Sequence, residues 1–103
     1  MANLTIGSGQ VGVYQQQLAA NAVDTVTISR AHDPVEVWAD GTAAVYFTVD
    51  GTTPTVGGQN CFEIPAGGAA VRDQVTTPGA SNTVVKLVSA GTPKYSVTAP
   101  GGY

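Results

Sequence analysis

Charge is scarce in this sequence. Four Lys and Arg and seven Asp and Glu make up only 11% of 103 residues, for a net charge of -3, where an average soluble domain is roughly 25% charged. The cations form no run, so the chain cannot build the clustered basic patch that releases counterions from nucleic acid. A single cysteine, Cys61, excludes an intramolecular disulfide and any multi-cysteine metal knuckle. A single histidine, His32, removes most triad and metal chemistries. No apolar run approaches the roughly 20 residues of a spanning helix, and no membrane partner is expected. The opening MANLTIGSGQ has neither a basic n-region nor a long apolar stretch, so no secretory leader is expected there. These absences predict a protein that is not an enzyme and holds no cofactor or metal.

Hydrophobic residues nevertheless reach 43%, which argues against disorder. Val and Thr, stiff at χ1, suit a pleated, half-buried surface. The 13 Gly and 6 Pro punctuate the apolar stretches instead of interrupting them. At this length one domain fits. The expected fold is all-β: a single antiparallel β-sandwich, immunoglobulin-like or jelly-roll-like, of about eight short strands.

Alternation places strands at Val11 to Leu18, Asp24 to Ser29, Val35 to Ala39, Ala43 to Val49, Cys61 to Ile64, Ala69 to Thr76, Thr83 to Ser89 and Lys94 to Thr98. The Thr83 to Ser89 run is apolar on both faces apart from Lys86, as a central strand should be. Asp40-Gly41, between two strands, is a short-hairpin signal. The pattern predicts an extended N-terminal arm over residues 1–10, a sandwich over 11–98 and an extended tail over 99–103. The expected core is Val26, Ile28, Val35, Val37, Val45, Phe47, Phe62, Ile64, Val85 and Leu87.

The most specific segment is Val45-Tyr46-Phe47-Thr48-Val49-Asp50-Gly51-Thr52-Thr53-Pro54-Thr55. It resembles the strand followed by T-x-D-G-(S/T)-x-P-T found in immunoglobulin-like accessory domains of some carbohydrate enzymes, a hairpin device without catalytic content. From Pro34 to Val97 the chain resembles small β-sandwich virion proteins of tailed bacteriophages, with Val85-Lys86-Leu87-Val88-Ser89-Ala90-Gly91-Thr92-Pro93-Lys94-Tyr95-Ser96-Val97 matching as well as the turn segment does. That resemblance implies a structural role as a capsid decoration or cement (minor capsid) protein, made in the host cytoplasm and located on the virion capsid surface. Its implied partners are the major capsid protein, neighbouring virion subunits and copies of itself on the lattice. A tail, collar or fibre-associated place is the alternative within that class. A carbohydrate-binding accessory module with an immunoglobulin-like fold is the alternative from another class, to be recognised by a row of exposed aromatics on one face.

Candidate residues divide accordingly. Cys61 lacks any base but His32 and reads as a structural thiol. Asp24, Asp33, Asp40 and Asp50 fall at strand ends and turns without a D-x-D-x-D-G run, which is turn chemistry and not a calcium loop. Glu36 and Glu63 are the only glutamates, and a glycosidase would need two carboxylates across one cleft. Trp38 and Tyr46, on one face of the expected hairpin, either pack across strands or meet a partner. Leu4 and Ile6 in the arm, with Tyr103 on its Gly-Gly leash, complete the candidate partner-binding set: Leu4, Ile6, Trp38, Tyr46 and Tyr103.

Overall fold

A computed structural model describes residues 2–7, 10–28, 35–67, 70–73 and 83–98. Nine strands build two facing sheets: β1 (Asn3–Ile6), β2 (Gly12–Gln17), β3 (Asp24–Ile28), β4 (Val35–Ala39), β5 (Val45–Thr48), β6 (Phe62–Ile64), β7 (Ala70–Asp73), β8 (Thr83–Val88) and β9 (Lys94–Thr98). One sheet runs β1-β3-β8-β5-β6 and the other β2-β9-β4-β7. From β2 onward the chain changes sheet at every connection but the one between β5 and β6. Strands β2 to β9 therefore form an eight-stranded jelly roll. The expected all-β sandwich is present, and of its two candidate forms the jelly roll is the one adopted.

The core follows from alternation. Val26 and Ile28 on β3, Val35 and Val37 on β4, Val45 and Phe47 on β5, and Val85 and Leu87 on β8 are buried between the sheets with Tyr95 and Val97 of β9. Strand β8 lies in the middle of the five-stranded sheet, as its run of apolar residues predicts. One polar tie crosses the core. Asp24, at the inward-facing start of β3, is 2% exposed. Its Oδ2 accepts from the buried Tyr95 hydroxyl of the opposite sheet at 2.8 Å, and its Oδ1 accepts from the Ala2 backbone N–H at 2.9 Å.

Four expectations need correction. Residues 3–6 of the expected N-terminal arm are a strand of the sandwich. Strand β1 pairs with β3 in parallel, Leu4 beside Val26 and Ile6 beside Ile28, and Ile6 is fully buried. The two apolar side chains of this segment find an unfilled edge of the core on their own chain, and burying them offsets the ordering cost. The sandwich is accordingly not wholly antiparallel. Secondly, Asp40-Gly41 is not a hairpin turn: β4 and β5 belong to different sheets, and the turn carries the chain across the sandwich. Trp38 and Tyr46 are thereby separated onto opposite outer surfaces. Thirdly, Phe62 is 45% exposed. It shares the inner face with its register partner Phe47 and stacks on it, centroids 5.4 Å apart, but β6 is a three-residue edge strand at the open margin of the sandwich. Lastly, the alternation expected of Val11 to Leu18 breaks inside β2, where the register with β9 shifts between Val13 and Gln16 and Gln15 has a φ of 53°.

Two Asp-Gly-Thr turns repeat one device. Asp40 Oδ1 accepts from the Thr42 N–H and hydroxyl at 3.0 and 2.8 Å, and Asp50 Oδ1 accepts from the Thr52 N–H and hydroxyl at 3.1 and 2.6 Å. The intervening Gly41 and Gly51 both take positive φ, 83° and 84°, which glycine tolerates at no steric cost. Asp40 Oδ2 also accepts from the Lys94 N–H at 3.1 Å, fixing the start of β9. The Asp50 turn opens the long connection to β6 instead of closing a hairpin by itself.

Candidate functional site

The β2 bulge decides the character of one surface. Val13 pairs with Val97 and faces inward, and Gln16 pairs with the inward Tyr95. Tyr14 and Gln15 together therefore stand opposite Ser96, on the outer face. On the other side of β9, Ser96 pairs with Trp38 of β4, and directly opposite residues share a face. The bulge, the serine and the tryptophan thus form one row across three strands. Tyr14 is 54% exposed and Trp38 36%. Ser96 is only 7% exposed between them, and its Oγ accepts from the Gln15 N–H at 3.2 Å, which holds the bulge in place.

The side chains around this row are mostly neutral. Gln15 and Gln17 are exposed on β2, and Thr98 lies further along β9. The Gln17 amide donates to the Thr92 carbonyl at 3.1 Å, and the Gln16 amide to the Tyr14 carbonyl at 3.1 Å, so the strand's own glutamines steady the bulge. Among the described residues of these three strands, charge on this face flanks the row, at Lys94 opposite Gln17 and at Glu36 opposite Thr98. Strand β7 extends the sheet, placing Ala70 opposite Trp38 and Arg72 opposite Glu36.

The opposite outer face differs. Tyr46 is half-buried and pairs with Glu63. A hydrogen bond to the Glu63 carboxylate, helped by burial and by that negative charge, raises the Tyr46 phenol above its ordinary pKa. Near this end of the molecule Asp50, Asn60, Cys61 and Phe62 line an open depression of about 390 Å³. The Cys61 thiol is half-buried and lies 3.5 Å from the Gly58 carbonyl, as a structural cysteine does. Among the described residues no three His, Cys, Asp or Glu side chains gather in a metal-holding group. Glu36 and Glu63 lie on different sheets and share no cleft.

Of the five residues singled out for partner binding, Trp38 stands in the aromatic row. Tyr46 is on the other sheet, Leu4 packs half-buried against the core and Ile6 is inside it. Tyr103 lies outside the described residues, as does His32. Sequence reasoning missed Tyr14, whose partnership with Trp38 requires knowing that β9 lies between β2 and β4. A tyrosine beside the run of three glutamines, Gln15 to Gln17, was the available signal.

No protein-family model and no curated protein matches this sequence. Solved structures do match in fold. CBM_E1, a carbohydrate-binding module found in a sugar cane soil metagenome and complexed with cellopentaose and gadolinium ion, aligns with a TM-score of 0.56 at 11% identity, over 96% of this chain and 92% of that one. A mutant of the Escherichia coli periplasmic inhibitor of g-type lysozyme aligns with a TM-score of 0.52 at 15% identity, over 93% and 94% of the two chains. The pre-peptidase C-terminal domain of a Bacillus anthracis collagenase aligns with a TM-score of 0.51 at 13% identity, over 95% and 93%. At these identities the likeness establishes the sandwich fold.

Proposed function

We propose that this chain is a non-enzymatic structural protein of a bacteriophage virion, a decoration or cement protein that binds the outer surface of the major capsid lattice. The observation that carries the reading is the scatter of exposed apolar side chains over a surface poor in charge. Tyr14 and Trp38 stand on one sheet face, Val11 at the entry to β2, and Val56 and Phe62 at the end formed by the β5–β6 connection. Separate apolar contacts suit a molecule touching more than one neighbour, and low charge lets copies sit close together. The resemblance of Pro34 to Val97, with its closing Val85-to-Val97 segment, to phage β-sandwich proteins supports the same reading, and jelly rolls recur in viral capsid and lectin domains. The test is to add purified protein to shells assembled from the major capsid protein of the phage that encodes it. Saturable co-sedimentation with a fixed number of copies per capsomer is expected. Failure to bind shells, with recovery on tails or fibres instead, overturns the capsid assignment.

A second reading, a carbohydrate-binding accessory module, is favoured by one specific observation: the exposed Tyr14 and Trp38 share a face. The fold shared with a cellopentaose-binding module supports it. Retardation in gels cast with soluble polysaccharide tests it.

A further inference from the structure

We infer that the outer face of the β2-β9-β4 sheet is a platform for an extended, neutral, β-1,4-linked pyranose chain, running across the strands from Tyr14 over Ser96 to Trp38. The inference rests on the carbohydrate-binding reading of this face and adds to it the class of chain. It takes Tyr14 and Trp38 from the capsid contacts and leaves Val11, Val56 and Phe62 to that assignment.

Spacing is the first argument. Strands β2 and β4 lie one on each side of β9, so their backbones are about 9.5 Å apart, twice the strand separation. That is comparable to the distance between alternate rings of an extended β-1,4-linked chain, in which neighbouring rings are flipped and alternate rings present the same face. Tyr14 and Trp38 would each stack on the C–H face of one such ring, and the intervening ring would cross the low, small Ser96. A bulkier side chain at that position would block the crossing. An α-1,4-linked chain curves away from a flat sheet and cannot meet both aromatics in this way.

Charge is the second argument. Between and beside the aromatics the surface offers Gln15, Gln17 and Thr98, neutral groups that give and accept hydrogen bonds as sugar hydroxyls require. Lys94 and Glu36 lie in the rows on either side, paired with Gln17 and Thr98, and Arg72 of β7 stands opposite Glu36, so the row of Tyr14, Ser96 and Trp38 itself carries no charge to select an anionic glycan.

Area is the third. Tyr14 and Trp38 at their observed exposures leave roughly 200 Å² of aromatic surface or less uncovered. A stable protein interface takes about 800 Å² per partner. The aromatic pair by itself is far smaller than such an interface and matches the scale of two sugar rings.

Trp38 is the only tryptophan in the chain, so its fluorescence reports directly from the site. Titration with cellohexaose or xylohexaose should quench and shift Trp38 emission saturably. Tyr14→Ala should weaken that affinity about tenfold or more; Trp38→Ala, followed by calorimetry, should do the same, while Trp38→Phe keeps most of the binding. Tyr46→Ala, on the opposite sheet, should leave affinity unchanged, which separates loss of the site from loss of fold. Equal or better binding of maltohexaose overturns the assignment of chain class and leaves the carbohydrate reading standing. No response to any of these oligosaccharides overturns both. Emission that instead shifts with protein concentration, together with a dimer on size-exclusion chromatography, would make the face a contact between copies and also overturn the proposal.

Discussion

The buried tie between Asp24 and Tyr95 is where a small chemical change should have the largest effect on stability. Tyr95→Phe deletes one hydroxyl that donates to Asp24 Oδ2 at 2.8 Å and changes little of the packing volume. Tyr95 is fully buried and Asp24 2% exposed, so water cannot replace the lost bond without opening the sandwich. A hydrogen bond to a charged group contributes about 1.5–3 kcal/mol, and losing it leaves a carboxylate oxygen unsatisfied. At roughly 4–8 °C per kcal/mol for a domain of this size, thermal unfolding followed by circular dichroism should shift down by about 6–24 °C. In the Asp24→Ala background the same substitution should cost far less, giving a coupling energy of at least about 1.5 kcal/mol in a double-mutant cycle. Alkali supplies a second readout. Burial, reinforced by the Asp24 carboxylate, pushes the Tyr95 phenol far above its ordinary range. The native state therefore keeps the neutral phenol, and the stability linked to it is complete below the unfolded pKa of about 10 and declines as pH rises above it. Tyr95→Phe has no such group to ionise, so the gap between the two proteins should close above about pH 10. A Tyr95→Phe protein within about 0.5 kcal/mol of the parent, or strictly additive double mutants, would refute the reasoning.

The first strand gives a simpler test. Ile6→Ala should cost about 2–5 kcal/mol in urea unfolding, because Ile6 is fully buried beside Ile28; an unchanged midpoint would mean that the segment contributes nothing to the core. Gly51→Val should destabilise through backbone conformation and not through crowding, since φ there is +84° and an added Cβ would meet only the Val84 Cβ, at 3.8 Å. A loss of about 1–2 kcal/mol or more is expected, and an unchanged melting temperature would contradict the left-handed turn. The Thr42 and Lys94 backbone N–H groups hold the Asp40 carboxyl below its ordinary pKa. Its contribution is therefore complete above the unfolded value of about 3.9 and is lost as pH falls through the lower folded value. The difference in melting temperature between the parent and Asp40→Ala should accordingly shrink in acid, and a difference independent of pH would contradict the role of the carboxylate.

Local chemistry made much of this protein legible before any contact was known. Alternation placed eight of the nine strands close to their observed positions, because a residue's face in a strand depends only on its neighbours two positions away. It also identified β8 as central and most of the core. The Asp-Gly-Thr turns were readable for the same reason: the carboxylate, the positive φ and the donating groups all lie within three residues. What alternation could not supply was the neighbour of each strand. A turn signal at Asp40-Gly41 shows that the chain reverses, not whether it returns within the sheet or crosses to the facing one, since both need only a few residues over about 10 Å. That choice alone separated Trp38 from Tyr46. Phe62 carried the pattern of a core residue, but exposure at a sheet margin depends on what lies across the gap. Leu4 and Ile6 were too few to specify a strand by themselves and acquired one because β3 left a parallel edge beside the core. The partnership of Tyr14 with Trp38 is the extreme case: 24 positions separate them in the chain, and a strand from its far end, β9, brings them into one row.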